Sequence, residues 1–94
     1  MPFQNHGNRA FNAMSIRKNA PASSGVYGLA DSQGWILVGD TADIRTELMQ
    51  YLRNPSTLLQ QYPPSGFTFE ESGPESRQTR RNQLVQELSP LGNR

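Results

Sequence analysis

The chain has 94 residues and a formal net charge of +1, and 34% of its residues are hydrophobic. This length is typical of one domain with a small core, and the net charge is too low to indicate nucleic-acid binding by itself. The absence of cysteine excludes disulfides and thiolate metal sites. No segment has the roughly 20 apolar residues of a membrane helix or the apolar run of a secretory signal, so a cytoplasmic location is expected.

Residues 1–23 are polar and end in the loop-like segment "APASS". We predict an irregular N-terminal arm that lays Phe11 and Ile16 on the edge of the domain and frays at its beginning. His6, the only histidine, has no second metal-ligating residue near it in the sequence. No metal site is therefore expected in this arm.

Three segments have the composition of β-strands. "GVYGLA" (residues 25–30) and the almost wholly apolar "WILVG" (35–39) flank the turn sequence "DSQG" and predict a β-hairpin. "FTFEE" (67–71) alternates apolar and polar residues and predicts a third strand.

Three further segments favour helices. "DTADIRTELMQYLRNP" (40–55) is the clearest, with Asp40 or Thr41 as its cap and the pair Asn54 and Pro55 at its end. A short helix is expected in "PSTLLQQY" (55–62) and a last one in "ESRQTRRNQLVQELSP" (75–90). The element order predicts an α/β (α+β) domain over residues 24–94, with a small, three-stranded, largely antiparallel sheet flanked by helices.

With these elements in place, the chain resembles the GIY-YIG nuclease superfamily. "GVY" (25–27) matches the first family motif, and "LVG" (37–39) matches the second at the expected separation. "DTADIRTEL" (40–48) resembles the helix that follows, and "LVQELSPLGN" (84–93) resembles the closing segment. The similarity runs from about residue 24 to residue 94, and it implies cleavage of phosphodiesters with one divalent metal as Lewis acid.

The resemblance also implies where the catalytic residues would lie. The first motif tyrosine is present as Tyr27, but the second falls on Leu37, and the lysine that often follows falls on Asp40. The catalytic arginine of the first helix falls on Glu47, and the metal-binding glutamate of the last helix falls on Arg81. Leucine offers no hydroxyl and arginine repels a metal ion. The sequence therefore predicts a degenerate site without confident catalytic residues and without a metal.

Glu47 and Arg81 exchange the charges of the family's arginine and glutamate. We hypothesise that they form an ion pair that closes the former cleft; two unrelated surface charges are the alternative.

Four arginines are candidates for contacts with nucleic-acid phosphates. Arg77, Arg80 and Arg81 form the densest basic cluster, and Arg45 lies on the earlier helix, pointing away from Glu47.

These features predict an inactive nuclease-like domain that acts as a binding or scaffold module, with DNA or RNA as its partner. The first alternative is a protein-interaction or structural module that uses Trp35 and residues 62–67. The second is a surviving Mg²⁺-dependent endonuclease with relocated groups, for which Glu70, Glu71 or Glu75 would supply a metal ligand. The oligomeric state is left open, and no membrane contact is expected.

Overall fold

The computed structural model describes residues 8–93, which form one antiparallel sheet with helices on both faces. The strands are β1 (Arg9–Ala10), β2 (Gly25–Asp31), β3 (Gly34–Thr41) and β4 (Gly66–Glu71), in the spatial order β1-β4-β2-β3. β2 pairs with both β3 and β4 and is therefore a central strand. The α+β class and the antiparallel pairing agree with the prediction, but the sheet has four strands rather than three.

The helices are α1 (Ala13–Asn19), α2 (Ile44–Arg53), α3 (Thr57–Gln61) and α4 (Arg77–Leu88), and a 3₁₀ turn covers Leu91–Asn93. Asp43 caps α2 by accepting the backbone N–H of Thr46 at 3.0 Å. The expected cap at Asp40 or Thr41 is wrong, because both residues belong to β3. Asn54 ends α2, as predicted.

The β2–β3 hairpin has the predicted turn between Asp31 and Gly34. The Asp31 carboxylate accepts hydrogen bonds from the backbone N–H groups of Gln33 and Gly34. Gly34 has a φ of +138°, a backbone conformation that residues other than glycine rarely adopt. This turn sets the register that places Tyr27 opposite Gly39 and Val26 opposite Asp40.

The two faces of the sheet bury different clusters because side chains alternate along a strand. Tyr27, Leu29, Phe67 and Phe69 face α1, α2 and α3, and they belong to the main core. Val26 and Val38 face α4, where Leu84 completes a smaller cluster. The sheet therefore separates the α2 side of the molecule from the α4 side.

The edge of β3 is closed by a side chain. The Asn93 amide donates to the Val38 carbonyl at 3.1 Å, and its oxygen accepts the Val38 N–H at 2.9 Å. These two hydrogen bonds satisfy backbone groups of Val38 that would otherwise be unpaired at the sheet edge, and they hold the 3₁₀ turn against β3.

The described part of the N-terminal arm is regular, and this corrects our expectation of irregular structure. β1 pairs with β4, and α1 buries Ile16 completely in the main core. Asn12 caps α1 by accepting the N–H of Ser15 at 2.8 Å. Two residues are too short to be recognised as a strand in a sequence, and a seven-residue helix offers little periodicity. His6 lies outside the described residues, and a domain boundary at residue 23 stays a prediction.

Every helix within residues 8–93 is too short or too polar to span a lipid bilayer.

Two substitutions in α1 test whether the arm belongs to the folding unit. Ile16→Ala removes a fully buried side chain and should lower the free energy of unfolding by about 2–5 kcal/mol. Met14→Ala, on the same helix but 78% exposed, should change it by less than about 0.5 kcal/mol. Urea denaturation followed by circular dichroism measures both. Equal stabilities of the two variants would show that α1 is an independent appendage.

Candidate functional site

Tyr27 is the centre of the candidate site. It lies on β2, and its side chain is 2% exposed. Its hydroxyl occupies the space above Gly39 on the neighbouring strand, where a Cβ atom would collide with the phenol. Position 39 therefore requires glycine, because the Tyr27 phenol lies too close to its Cα for any larger residue.

The Tyr27 hydroxyl joins two side chains of α2. It donates to Oε2 of Glu47 at 3.1 Å and lies 3.1 Å from the hydroxyl of Tyr51. Glu47 and Tyr51 are four residues apart, so they share one face of the helix. Because the single phenolic proton of Tyr27 points to a carboxylate, Tyr51 donates to the Tyr27 oxygen. The result is a directed chain of hydrogen bonds from Tyr51 through Tyr27 to Glu47.

This environment makes Tyr27 a weak acid. Burial raises the pKa of its phenol far above the usual range, and the hydrogen bond with Tyr51 and the nearby Glu47 carboxylate raise it further. A phenol with such a pKa does not form a phenolate near neutral pH. The residue that matches the first family motif is therefore unsuited to act as a base here.

Beside this chain, Glu47 and Tyr51 line a shallow pocket of about 300 Å³ together with Gln50 and Asn54. The pocket contains a carboxylate where the resemblance implies an arginine. None of these four residues offers a positive charge to a phosphate group.

Leu37, at the position of the second tyrosine, contributes only packing. It pairs with Leu29 on β2 and packs against the main core. No hydroxyl replaces the missing one at this position.

On the other face of the sheet, Asp40 forms ion pairs with two arginines of α4. Its carboxylate oxygens lie 3.5 Å from Nε of Arg77 and 3.5 Å from Nε of Arg81. Arg77 also donates to the Ser24 hydroxyl at 3.0 Å. Nε of Arg81 is buried and has no hydrogen-bond partner, so Asp40 compensates its charge at ion-pair range only.

The hypothesis of a Glu47–Arg81 ion pair is therefore wrong. Asp40 follows Gly39 and points to the α4 side, whereas Glu47 binds Tyr27 on the α2 side. The alternation of side chains along β3 separates the two groups. Arg81 instead lies at ion-pair distance from Asp40.

The other two candidate arginines lie apart from this pair. Arg80 forms a bidentate pair with Glu70, at 2.8 Å and 3.1 Å, and this hydrogen-bonded contact raises the pKa of Arg80. Arg45 donates from Nε to the carbonyl of Ala20 at 2.9 Å. The four candidates therefore do not converge on one point.

The donor set does not fit a divalent metal. Position 81, which the resemblance assigns to the metal-binding glutamate, carries a guanidinium next to Asp40. Residues 8–93 contain no group of three or more His, Asp or Glu side chains that could hold a metal ion. Glu70 is paired with Arg80, and Glu71 accepts the Ser23 hydroxyl at 2.9 Å, so neither supplies part of a relocated cluster.

Tyr51 is the site residue that sequence reasoning missed. Its place on the apolar face of α2 indicated packing alone. The spacing of four residues from Glu47 was the available signal, because it puts both side chains on the same face of α2.

No protein-family model and no curated protein matches this chain.

Solved structures similar to this chain include the GIY-YIG N-terminal endonuclease domain of UvrC from Thermotoga maritima bound to its catalytic divalent cation, magnesium. The TM-score is 0.68 at 23% sequence identity, over 84% of this chain and 96% of that chain. A point mutant of that domain bound to its catalytic divalent cation has a TM-score of 0.69 at 20% identity, over 84% and 96% of the chains. A second point mutant has a TM-score of 0.68 at 19% identity, over 82% and 92%. The expected GIY-YIG fold is therefore confirmed.

The hydrogen bonds of Tyr27 predict a specific dependence of stability on pH. At pH 7, Tyr27→Phe should lower the free energy of unfolding by about 1–2 kcal/mol, because it removes two buried hydrogen bonds. The native phenol keeps its proton above about pH 10, where the unfolded phenol loses its own. The stability linked to the raised pKa is thus fully present below about pH 10 and is lost as the pH rises.

The difference in unfolding free energy between the wild type and Tyr27→Phe should therefore shrink by about 1 kcal/mol between about pH 10 and pH 11. Denaturant titrations of both proteins at the two pH values measure this difference in unfolding free energy. A difference that stays constant over this interval would contradict the assignment of a raised pKa to Tyr27.

Proposed function

Because the chain has the GIY-YIG fold, we propose that it is a nuclease-like domain that does not cleave phosphodiesters and acts as a nucleic-acid-binding module. The proposal rests above all on the pairing of Arg81 with Asp40. Both positions have the opposite charge to the one that the resemblance implies for catalysis.

The remaining positions support the loss of cleavage. Leu37 carries no hydroxyl, Glu47 places a negative charge where a phosphate would need a cation, and the pKa of Tyr27 is raised. Removing a single preorganised charge-stabilising group typically costs a factor of about 10²–10³ in rate. Several such changes together leave no effective catalyst.

A nucleic-acid partner is inferred from the fold and the arginines. The similar solved structures are endonuclease domains, and endonucleases act on nucleic acids. Fold similarity alone is a weak argument for function, so the arginine side chains must supply the contacts. Of the four candidates, Arg77, Arg80 and Arg81 already face carboxylates, whereas within residues 8–93 the Arg45 guanidinium donates to the neutral carbonyl of Ala20 and forms no ion pair.

A protein-interaction module is the alternative that one observation favours. Trp35 and Tyr62 line a pocket of about 350 Å³, and Leu88 and Leu91 add apolar surface to it. Tyr62 is 40% exposed, so its ring is accessible to a partner. We expected Phe67 to belong to this surface, but it is completely buried in the main core.

One gel assay tests both parts of the proposal. The purified chain, incubated with supercoiled plasmid in Mg²⁺ or Mn²⁺, should retard the plasmid without nicking it. The retardation should weaken between about 50 mM and 200 mM salt, since phosphate contacts depend on salt.

Nicking that is lost in Tyr27→Phe but retained in Tyr62→Phe would show a working nuclease and overturn the first part. Tyr62→Phe is a matched control because it removes a hydroxyl from an exposed residue outside the site. Absence of any retardation at low salt, together with a concentration-dependent dimer, would favour the protein-interaction module.

A further inference from the structure

A basic groove lies between α1 and α2. Its volume is about 320 Å³, and three arginines line it: Arg17 from α1, and Arg45 and Arg53 from α2. The lining is completed by Thr46, Met49 and Gln50. None of these six residues is acidic, so the groove is a concentration of positive charge on a chain with a net charge of only +1.

Arg45 is held in place before any ligand binds. Its Nε donates to the Ala20 carbonyl at 2.9 Å, and its backbone N–H donates to the Pro21 carbonyl at 3.1 Å. A guanidinium has five N–H donors, so four stay available. Fixing the side chain in advance reduces the entropy that binding would otherwise cost.

The spacing of the arginines suits a line of phosphates. Arg45 and Arg53 are eight residues apart on α2, which corresponds to about 12 Å along the helix axis. One strand of a nucleic-acid duplex carries a negative charge about every 3.4 Å along its axis. The groove therefore spans about three to four phosphates, with Arg17 on the opposite wall.

The charge in this groove is not neutralised within the described chain. Arg17 and Arg53 are exposed, and neither forms an ion pair with another residue between positions 8 and 93. The arginines of α4, in contrast, compensate Asp40 and Glu70. The basic cluster that is densest in the sequence is thus the less available one.

We propose that the groove formed by Arg17, Arg45 and Arg53 binds the phosphate backbone of a nucleic acid without reading its sequence. This inference rests on the proposed nucleic-acid-binding function and gives it a location. Among the described residues, no aromatic side chain lines the groove, and backbone contacts carry no sequence information. Binding takes place on the α2 side of the sheet, away from the ion pairs of α4.

Fluorescence anisotropy with a labelled DNA duplex of random sequence tests the proposal. Arg17→Gln and Arg53→Gln should each raise Kd by about three- to tenfold and lower the slope of log K against log salt concentration by about one. Lys18→Gln is the matched control, since Lys18 is exposed on the same helix and carries the same charge but does not line the groove. Its Kd should stay within about twofold of the wild type.

The outcomes separate the groove from the function. If all three substitutions weaken DNA binding equally, or if Arg17→Gln and Arg53→Gln have no effect on Kd, the groove is not the binding site. The proposal that the chain binds nucleic acid would still stand. Absence of wild-type binding would overturn both proposals. Binding of polyglutamate as tight as that of DNA would assign the groove to an acidic polypeptide instead. Circular dichroism spectra identical to the wild type confirm that each variant is folded.

Discussion

The pairing of Tyr27 with Gly39 across the β2–β3 hairpin is the constraint from which the rest of the site follows. Because glycine has no side chain, the phenol lies over β3 and reaches Glu47 and Tyr51 on α2. The same register turns the next residue, Asp40, to the opposite face, where it meets α4. One hairpin thus ties both helices to the sheet through polar contacts, in addition to the two apolar clusters.

In this arrangement, polar side chains on both faces of the hairpin stabilise the fold. Near the Gly39 end of the hairpin, Tyr27 is hydrogen-bonded to Glu47, and Asp40 is paired with Arg81. Asp40 and Glu70 would be costly to leave half-buried without partners, and the arginines of α4 compensate them. Under the proposed function, these pairs neutralise charges that would otherwise be available to stabilise a transition state. The groove on α1 and α2 carries the charge that stays available.

The sequence was sufficient for the order of the elements because the hairpin, α2 and β4 have strong local signals. Phe67 and Phe69 are buried as the alternation in "FTFEE" indicates, but Thr68 is buried as well, because β4 is covered on both faces. β1 and α1 were missed, since their stability comes from pairing with β4 and from Ile16 in a core that local patterns do not reveal. The residue types at the positions that the resemblance implies were visible in the sequence. Their partners were not, because the face on which Asp40 and Glu47 lie depends on the register of β3 and the packing of α4.

The central claim is that the residues at the family's metal position do not bind a divalent cation, and paramagnetic Mn²⁺ tests it most directly. In two-dimensional NMR spectra of the ¹⁵N-labelled wild type, equimolar Mn²⁺ should leave the amide signals of Tyr27, Asp40 and Arg81 as sharp as those of the remaining residues. Arg81→Glu restores the carboxylate next to Asp40 and serves as a comparison in which selective broadening is expected. Selective broadening of these three signals in the wild type, reversed by EDTA, would contradict the account.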